Sequence, residues 1–490
     1  MSSDIVVVEL PVLPADVLVA VMQFLPVKDV LACRLVCKEL ADLALCGDVW
    51  RHRQLAGDHS RASAVLRLAP RLDEVFVHRR TLLAMTTTKC AVSKLTLLAD
   101  LSWFYCSARH DARFPLYAEA VRNQEALGRL RQLTLRSDMR LMNQKKIKAD
   151  VLVSALATCS GLKKLTIDTV ELQTDKPVTA GPIRPSLEFF RCRATDDNSV
   201  SFVNTMLAGH GATLEEVDII SSGPLWFKKP VDWADASPAH LLAAMPNLRT
   251  LRCDMTMPGL EAVAACTTLR ALWLGACESE WGDGVAAIEG ASELLRRADQ
   301  LREVGLDRRC EAFSLSPDVG RTLLEALASS GKSQVERLSL VAFLDVRPLL
   351  SALPSLPALR TLAVVNTDFL EELMEFPPEG IPCIHSWIHS DEVKAALLSN
   401  PSLHILLQGR YDCDQEDCES CQRYCHQEIK LLRHVGTGVQ ICLFSHEIGK
   451  CPSSKRHSEW LSWVIEITHD SLCDPEDNDV AIIQGGIGGL

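Results

Sequence analysis

The stretch LPADVLVAVMQFLPVKDVLACRLVCKELADLALCGDVW, residues 13–50, decides how the chain begins to fold. Its first part carries apolar residues at the three- and four-residue steps of one helical face: Val17, Leu18, Val21, Met22 and Leu25. Pro14 suits the first turn of such a helix, because a proline at that position gives up no hydrogen bond. Pro26 ends the helix, since the residue before a proline is pushed out of helical geometry. The pattern predicts a helix between the two prolines.

Two shorter helices are predicted in the rest of the stretch. Asp29 opens a second apolar run, at Val30, Leu31, Leu35 and Val36. A third run, at Leu40, Leu43 and Leu45, ends at Gly47. A lone core seldom suffices below about 40 to 70 residues, and these helices carry apolar side chains on more than one face. We therefore expect a three-helix module that buries its surplus apolar surface against another polypeptide.

This stretch resembles the F-box, the helical module that docks proteins onto the Skp adaptor of cullin-based ubiquitin ligases. The resemblance rests on two Leu-Pro dipeptides twelve residues apart, a Val-Cys-Lys sequence and a closing Trp. It implies that the docking and packing positions are Leu13, Pro14, Leu18, Val21, Leu25, Pro26, Leu31, Leu35, Val36, Cys37 and Trp50. The chain departs from the family at Leu40, where an aromatic residue is common. The alternative is an ordinary three-helix corner of a larger domain.

A second pattern, L-x-x-L-x-L, repeats from about residue 66, with clear copies in LRQLTL, LKKLTI, LRTLRC and LRALWL. Its second apolar position falls at Val75, Leu95, Leu133, Leu165, Phe190, Val217, Leu251, Leu272, Val304, Leu338, Leu362 and Leu406. Helical patterns such as DVLVSALATC lie between copies. One strand and one helix cannot bury their own apolar faces, so we expect the units to stack. With a mean step of about 30 residues, the array resembles the leucine-rich-repeat class of F-box proteins.

The sequence thus predicts an α/β solenoid: an N-terminal three-helix F-box, then an irregular leucine-rich-repeat array with a C-terminal cap. The expected boundaries are 10–55 for the F-box, 56–410 for the leucine-rich-repeat solenoid, 411–473 for a Cys-containing cap and 474–490 for a flexible tail. The tail follows from its acidic and glycine-rich composition. Strands are expected on the concave side and helices on the convex side.

A substrate site is predicted on the concave face, where alternate strand residues point to solvent. The candidate residues are Phe189, Arg191, Arg193, Arg252 and Trp273. Rigid aromatic residues and arginines dominate interface energetics, and arginines can hold carboxylates or phosphate in bidentate fashion. The alternative is that the arginines pair with Asp218 and Asp254 on an ordinary solvated sheet.

The C-terminal segment contains one Cys-x-x-Cys, and its candidate zinc ligands are Cys418, Cys421, Cys425 and His426. An isolated Cys-x-x-Cys is a weak match to a zinc site. We therefore predict no bound metal and no cofactor, with reduced cysteines in a capping segment.

Bulk composition narrows the class of protein. A net charge of -12 argues against sequence-independent nucleic-acid binding, which needs a basic face. Nineteen scattered cysteines favour a reducing compartment over a disulfide framework. Neither a signal peptide nor a membrane span is recognisable in the sequence. We expect a cytoplasmic or nuclear protein with no membrane partner.

Catalytic motifs such as a nucleophile elbow or a zinc-protease helix do not occur, so we predict a non-enzymatic protein without catalytic residues. The expected function is substrate recognition in a Skp/cullin/F-box ubiquitin ligase. Its partners would be the Skp adaptor, through it the cullin, and an unknown protein substrate. The alternative is a leucine-rich-repeat scaffold that binds the adaptor without promoting degradation.

Overall fold

The structure is a computed structural model. It describes residues 13–57, 59–99, 114–137, 147–167, 172–173, 178, 181–194, 197–220, 237–253, 257–275, 284–307, 318–329, 331, 333–341, 349, 352–365, 391–400, 402–408, 429–434 and 438–444. The chain divides into two compact units, Met1–Leu214 (unit 1) and Glu215–Leu490 (unit 2), and each is described by itself. Among the helices of these residues, none combines the length and the apolar character that crossing a bilayer requires.

The N-terminal module contains four described helices, not the three that the sequence predicts. They are α1 (Ala15–Phe24), α2 (Val27–Cys33), α3 (Lys38–Ala44) and α4 (Gly47–Trp50). Gly47 begins a further helical turn instead of ending the third helix. A Cβ at this position would lie 2.7 Å from Arg71 Nε, so a larger residue would displace the Arg71 side chain, whose Nε donates a hydrogen bond to Gly47 O at 2.9 Å.

Unit 1 continues as a mixed α/β structure. Its strands are β1 (Gln54–Leu55), β2 (Arg71–Val77), β3 (Ala91–Ala99), β4 (Gln132–Ser137), β5 (Ile147–Lys148), β6 (Lys164–Ile167), β7 (Leu172–Gln173) and β8 (Phe189–Arg193). Its further helices are α5 (Ala62–Leu68), α6 (Leu82–Thr87), α7 (Phe114–Ala126), α8 (Asp150–Thr158) and α9 (Asp197–His210). The strands β1, β2, β3, β4, β6 and β8 are parallel and adjacent in that order, whereas β5 pairs with β7.

Unit 2 has the same parallel arrangement. Its strands are β9 (Glu216–Ile220), β10 (Thr250–Cys253), β11 (Ala271–Gly275), β12 (Glu303–Asp307), β13 (Arg337–Val341), β14 (Thr361–Val365), β15 (His404–Gln408), β16 (Ile429–His434) and β17 (Gly438–Phe444). Its helices are α10 (Ala239–Ala243), α11 (Gly284–Arg297), α12 (Asp318–Ser329) and α13 (Asp391–Ser399), with 3-10 helices at Leu260–Ala265 and Leu353–Ser355. Strands β9 to β15 are parallel, and then β17 and β16 add in antiparallel fashion.

The apolar row predicted from the repeats is the core of both sheets. Val75, Leu95, Leu133, Leu165 and Phe190 pair in register in unit 1, and Val217, Leu251, Leu272, Val304, Leu338 and Leu362 do so in unit 2. All of them are buried. Within each unit, parallel strands with helices between them are compatible with a solenoid-like arrangement.

The last predicted position of the row is wrong by one residue. Leu362 pairs with Ile405, whereas Leu406 pairs with Ala363 on the other face of the sheet. Both Ile405 and Leu406 are buried, so the apolar pattern alone does not decide which of them belongs to the row. A shift of one residue moves a side chain to the opposite face of a strand.

Parts of the predicted C-terminal cap and tail lie outside the described residues. Strands β16 and β17 fall within residues 411–473. The four candidate zinc ligands do not belong to the described residues, nor do residues 474–490 and Asp254. The described part of the chain contains no group of three or more His, Cys, Asp or Glu side chains that could hold a metal ion.

A buried histidine closes the end of α9 in unit 1. His210 Nδ1 accepts hydrogen bonds from the backbone N–H groups of Ser186, at 3.0 Å, and Leu187, at 3.3 Å. Burial lowers the pKa of His210 from 6.5 to about 4. The fold therefore holds the neutral ring, because protonation would remove the acceptor that both N–H groups use.

The stability of the chain should decrease at mildly acidic pH because of this ring. The contribution of His210 is complete above its unfolded pKa and is lost as the pH falls towards the folded value, by about 2 kcal/mol between pH 7.5 and pH 5. Urea unfolding of the full chain and of the His210→Gln variant at both pH values measures this. An equal pH dependence of unfolding in the two proteins would contradict it.

Candidate functional site

Helix α1 has two apolar sides, and only one of them faces the core. Met22 is buried, with Leu18 and Leu25 half-buried beside it. Val17, Val21 and Phe24 form a second set, 40%, 49% and 89% exposed. At about 100° per residue these three lie within one narrow arc of the helix, next to the buried arc. We call them the α1 stripe. The single apolar face that the sequence predicts is thus split in two.

More apolar surface is exposed at the link between α2 and α3. Leu35 is 87% exposed and Val36 70% exposed. The sequence predicts both within the second helix, but α2 ends at Cys33. Cys37 then takes an extended conformation, and its Sγ accepts a hydrogen bond from Leu40 N at 3.5 Å at the start of α3. Two large apolar side chains are therefore held in a short link, where the module itself does not cover them.

Trp50 is the packing centre of the helical module. Its side chain is fully buried, and Nε1 donates a hydrogen bond to Ala44 O at 2.7 Å. The Arg53 guanidinium lies 5.5 Å from the centroid of the ring. Among the positions that the resemblance implies, Trp50 can act only by holding the helices together, because no partner can reach its buried ring.

Two arginines join the helical module to the first strands of unit 1. Arg53 Nη2 donates hydrogen bonds to Met22 O at 2.5 Å and to Gln23 O at 3.3 Å, near the C-terminal end of α1. Arg71, on β2, binds Gly47 O and forms an ion pair with Asp48 at the start of α4. These bonds fix the orientation of α1 and α4 relative to the sheet of unit 1.

The other predicted adaptor positions differ in the exposure of their side chains. Leu13, Pro14, Val21, Pro26, Leu35, Val36 and Cys37 are exposed, whereas Leu18, Leu25 and Leu31 are half-buried. Their role in docking stays a prediction. The sequence reasoning missed Phe24, the most exposed large apolar residue of the module. The available signal was its position three residues after Val21 and seven after Val17, which continues a helical stripe.

The predicted substrate residues are distributed over both units. Phe189, Arg191 and Arg193 lie on β8 of unit 1, and all three are half-buried. Lys164 Nζ, on the adjacent strand β6, lies 4.2 Å from the centroid of the Phe189 ring. Phe189 therefore makes a cation–aromatic contact with Lys164, which is not one of the predicted substrate residues, within the sheet of unit 1.

Arg252 and Trp273 form the half that belongs to unit 2. They pair in register on β10 and β11, and Arg252 Cζ lies 5.4 Å from the centroid of the indole. A Cβ built on Gly305 would lie 2.0 Å from Trp273 Cε3, so the indole lies flat over this glycine on β12. Ser339 and Ala363, the next residues of the same row, are buried. None of the predicted arginines is without a partner.

Comparison with known proteins adds one finding about the N-terminus. Residues 10–56 match the family model described as F-box-like. No curated protein matches the chain. The prediction of an N-terminal F-box is thus confirmed, while the leucine-rich-repeat class of the remaining chain stays a prediction. F-box domains generally bind the Skp adaptor.

Trp50 and Phe24 should differ sharply in their effect on stability. Trp50→Ala leaves a cavity in the module and should destabilise it by about 3–5 kcal/mol, while Phe24→Ala should change it by less than about 0.5 kcal/mol. Hydrogen exchange of the amides of α1 to α4 in the full chain measures both effects. Equal loss of protection in the two variants would show that Phe24 belongs to the core.

Proposed function

We propose that this chain is the substrate-recognition subunit of a Skp/cullin/F-box ubiquitin ligase. The observation that carries the proposal is the α1 stripe in an F-box-like domain whose own core is already filled by Met22, Val30 and Trp50. Removing one large apolar side chain from water contributes about 1.5–3 kcal/mol. A partner that covers the stripe, together with Leu35 and Val36, would therefore gain several such contributions.

The contact with the Skp adaptor is expected to be an interface of standard size or larger, about 1,600 Å² in total. The apolar centre of such an interface supplies affinity, and its polar rim supplies orientation. Helix α1 and the link between α2 and α3 offer the apolar part. The remaining positions, including Leu13 and Leu25, would pack around it.

The parallel strands of each unit are proposed to form a leucine-rich-repeat solenoid that holds the target protein. In this proposal the adaptor links the chain to a cullin and to a ubiquitin-charged enzyme, and degradation of the target follows. Catalysis by proximity then needs geometry instead of a catalytic side chain. The hydrogen bonds of Arg53 and Arg71 support this role, because they hold the adaptor-binding helices in a fixed orientation on the sheet of unit 1.

A cytoplasmic or nuclear location is part of the proposal. Eight cysteines of the described residues are free thiols: Cys33, Cys37, Cys46, Cys90, Cys159, Cys192, Cys253 and Cys266. The last five of these are buried. Burial raises the pKa of Cys90 and of Cys192 to about 12, so these thiols stay protonated and unreactive. Buried reduced cysteines suit a reducing compartment.

Replacing the α1 stripe should abolish capture of the Skp adaptor. In the double variant Val21→Glu with Phe24→Glu, two carboxylates would have to enter an apolar interface, so the Kd should rise at least about a hundredfold. Binding of the purified full chain to immobilised Skp adaptor measures this change. Leu83→Glu is the matched control, because Leu83 is 67% exposed on α6 of the same unit.

The outcome separates docking from general damage. We expect the double variant to keep the melting temperature of the parent chain and Leu83→Glu to bind the adaptor normally. Unchanged adaptor binding by the folded double variant would exclude the α1 stripe as the docking surface. The scaffold alternative predicts that partners of the wild-type chain do not accumulate when the cullin is inhibited.

Substrate capture should depend on the Arg252 and Trp273 pair. Proteins retained both by the full chain and by a version lacking residues 10–55 are candidate targets, since adaptor partners are lost from the shorter version. The variant Arg252→Ala with Trp273→Ala should retain these proteins at least about fivefold less, because interface aromatic and arginine residues carry most binding energy. Quantitative mass spectrometry measures the retained fraction. Undiminished retention would remove this pair from the substrate site.

A further inference from the structure

Three consecutive strands of unit 2 are each preceded by an arginine. Arg249, Arg270 and Arg302 come directly before β10, β11 and β12. Arg270 N donates a hydrogen bond to Arg249 O, and Arg302 N donates one to Arg270 O, each at 2.8 Å. The three backbone positions are therefore stacked at the spacing of neighbouring strands, about 4.8 Å. We call this row the arginine edge.

The side chains of the arginine edge are exposed, and the two outer ones lie beside glutamates that directly precede the flanking strands β9 and β13. Arg249 Nε lies 3.8 Å from Glu215 Oε2, and Arg302 Nη1 lies 3.3 Å from Glu336 Oε1. The side chain of Arg249 is 67% exposed and that of Arg302 is 48% exposed. Ion pairs this exposed contribute little, so a competing carboxylate can replace them at low cost.

Arg270, in the middle of the edge, makes none of the ion pairs found in the described part of the chain. Its Nη1 instead donates hydrogen bonds to Thr267 O at 2.9 Å and to Leu269 O at 3.0 Å. These two carbonyl groups accept only from Nη1 and hold the guanidinium in place. Its Nε and Nη2 donors take no part in these two hydrogen bonds. A side chain already ordered in this way loses less conformational entropy when it binds a ligand.

The charge of the edge is opposite to that of the whole chain. The edge carries three positive charges, and within the described residues its two outer members form ion pairs with Glu215 and Glu336. The chain as a whole carries a net charge of -12. A positive strip on a protein of net negative charge favours contact with an acidic partner at that strip, because the net charge of the chain opposes its approach elsewhere.

We propose that the arginine edge binds an acidic helical segment of the substrate protein. Side chains three or four residues apart on a helix have Cβ atoms about 5–6 Å apart, close to the strand spacing of about 4.8 Å. Over two strand spacings, about 9.6 Å, helical residues i and i+8 are about 12 Å apart along the axis, whereas the matching residues of an extended peptide are about 13.2 Å apart. A helix with carboxylates at i, i+4 and i+8 therefore follows the three arginines more closely than an extended peptide does. This inference rests on the proposed function for the statement that the segment belongs to a substrate.

Direct peptide binding to the purified full chain tests the inference. The probe is a fluorescein-labelled helical peptide of alanine and glutamine with glutamates at i, i+4 and i+8. Fluorescence anisotropy should show binding that weakens when sodium chloride is raised from about 50 to 300 mM. The variant Arg249→Ser with Arg270→Ser and Arg302→Ser should bind the peptide at least about tenfold more weakly. Each exposed arginine–glutamate pair that is lost should raise the Kd by less than a factor of about five.

The matched control removes the same charge elsewhere in unit 2. Arg296, Arg297 and Arg321 lie on α11 and α12, already paired with glutamates of their own helices. Their triple serine variant should keep the peptide Kd within about twofold of the parent value. A peptide of the same composition, with its three glutamates spread around the helix, should bind several-fold more weakly than the probe.

Three results would overturn the inference: no binding of the probe at low salt, equal loss of binding in the two triple variants, or tighter binding of a single-stranded oligonucleotide with the same charge. If the first serine variant melts below the parent, Arg249→Ser alone replaces it, because this change leaves the Arg270 bonds intact. The Arg249→Ser variant should bind the peptide about threefold more weakly than the parent chain. Capture of the Skp adaptor is measured on the same variants and should be unchanged, so failure of the ligase proposal is seen separately.

Discussion

The N-terminal module depends on one constraint: helix α1 has apolar residues on two adjacent arcs, and the module has one core. Met22 enters that core, whereas Phe24, two residues later, points away from it. The core is complete without Phe24, because Trp50 and Val30 already fill it. A short module in this condition keeps an apolar side that only another polypeptide can cover. The assignment of the N-terminus to partner binding follows from this condition.

The sheets follow a second constraint, which links the module to the rest of the chain. Each strand and helix leaves an apolar row that only the next strand can cover, so the fold of each unit propagates from neighbour to neighbour. Strand β1 begins at Gln54, four residues after Trp50, and pairs with β2. Arg53 and Arg71 tie the helices to the same point through backbone carbonyl groups. Whatever α1 binds is therefore held in a defined orientation to the first sheet.

Periodicity was enough to predict the first helix and all but one position of the apolar row, but it missed the fourth helix and the end of α2 at Cys33. It failed where two neighbouring residues are both apolar, as at Ile405 and Leu406, because burial on both faces removes the alternation that sets register. The contact of Trp273 with Gly305 also escaped prediction, since it depends on which glycine the register places beside the indole. The spacing of Phe24 places it on the α1 stripe, but its exposure follows only from the structure, which shows that Met22 on the neighbouring arc of α1 is the residue that enters the core.

Calorimetric titration of the full chain with purified Skp adaptor at several temperatures tests the central claim most directly. Burial of the exposed apolar side of α1 predicts one-to-one binding with a negative heat-capacity change, the mark of apolar surface leaving water. Absence of binding would contradict the account. Binding with a heat-capacity change near zero would contradict it as well, because the contact would then be polar and the apolar side of α1 would still be uncovered.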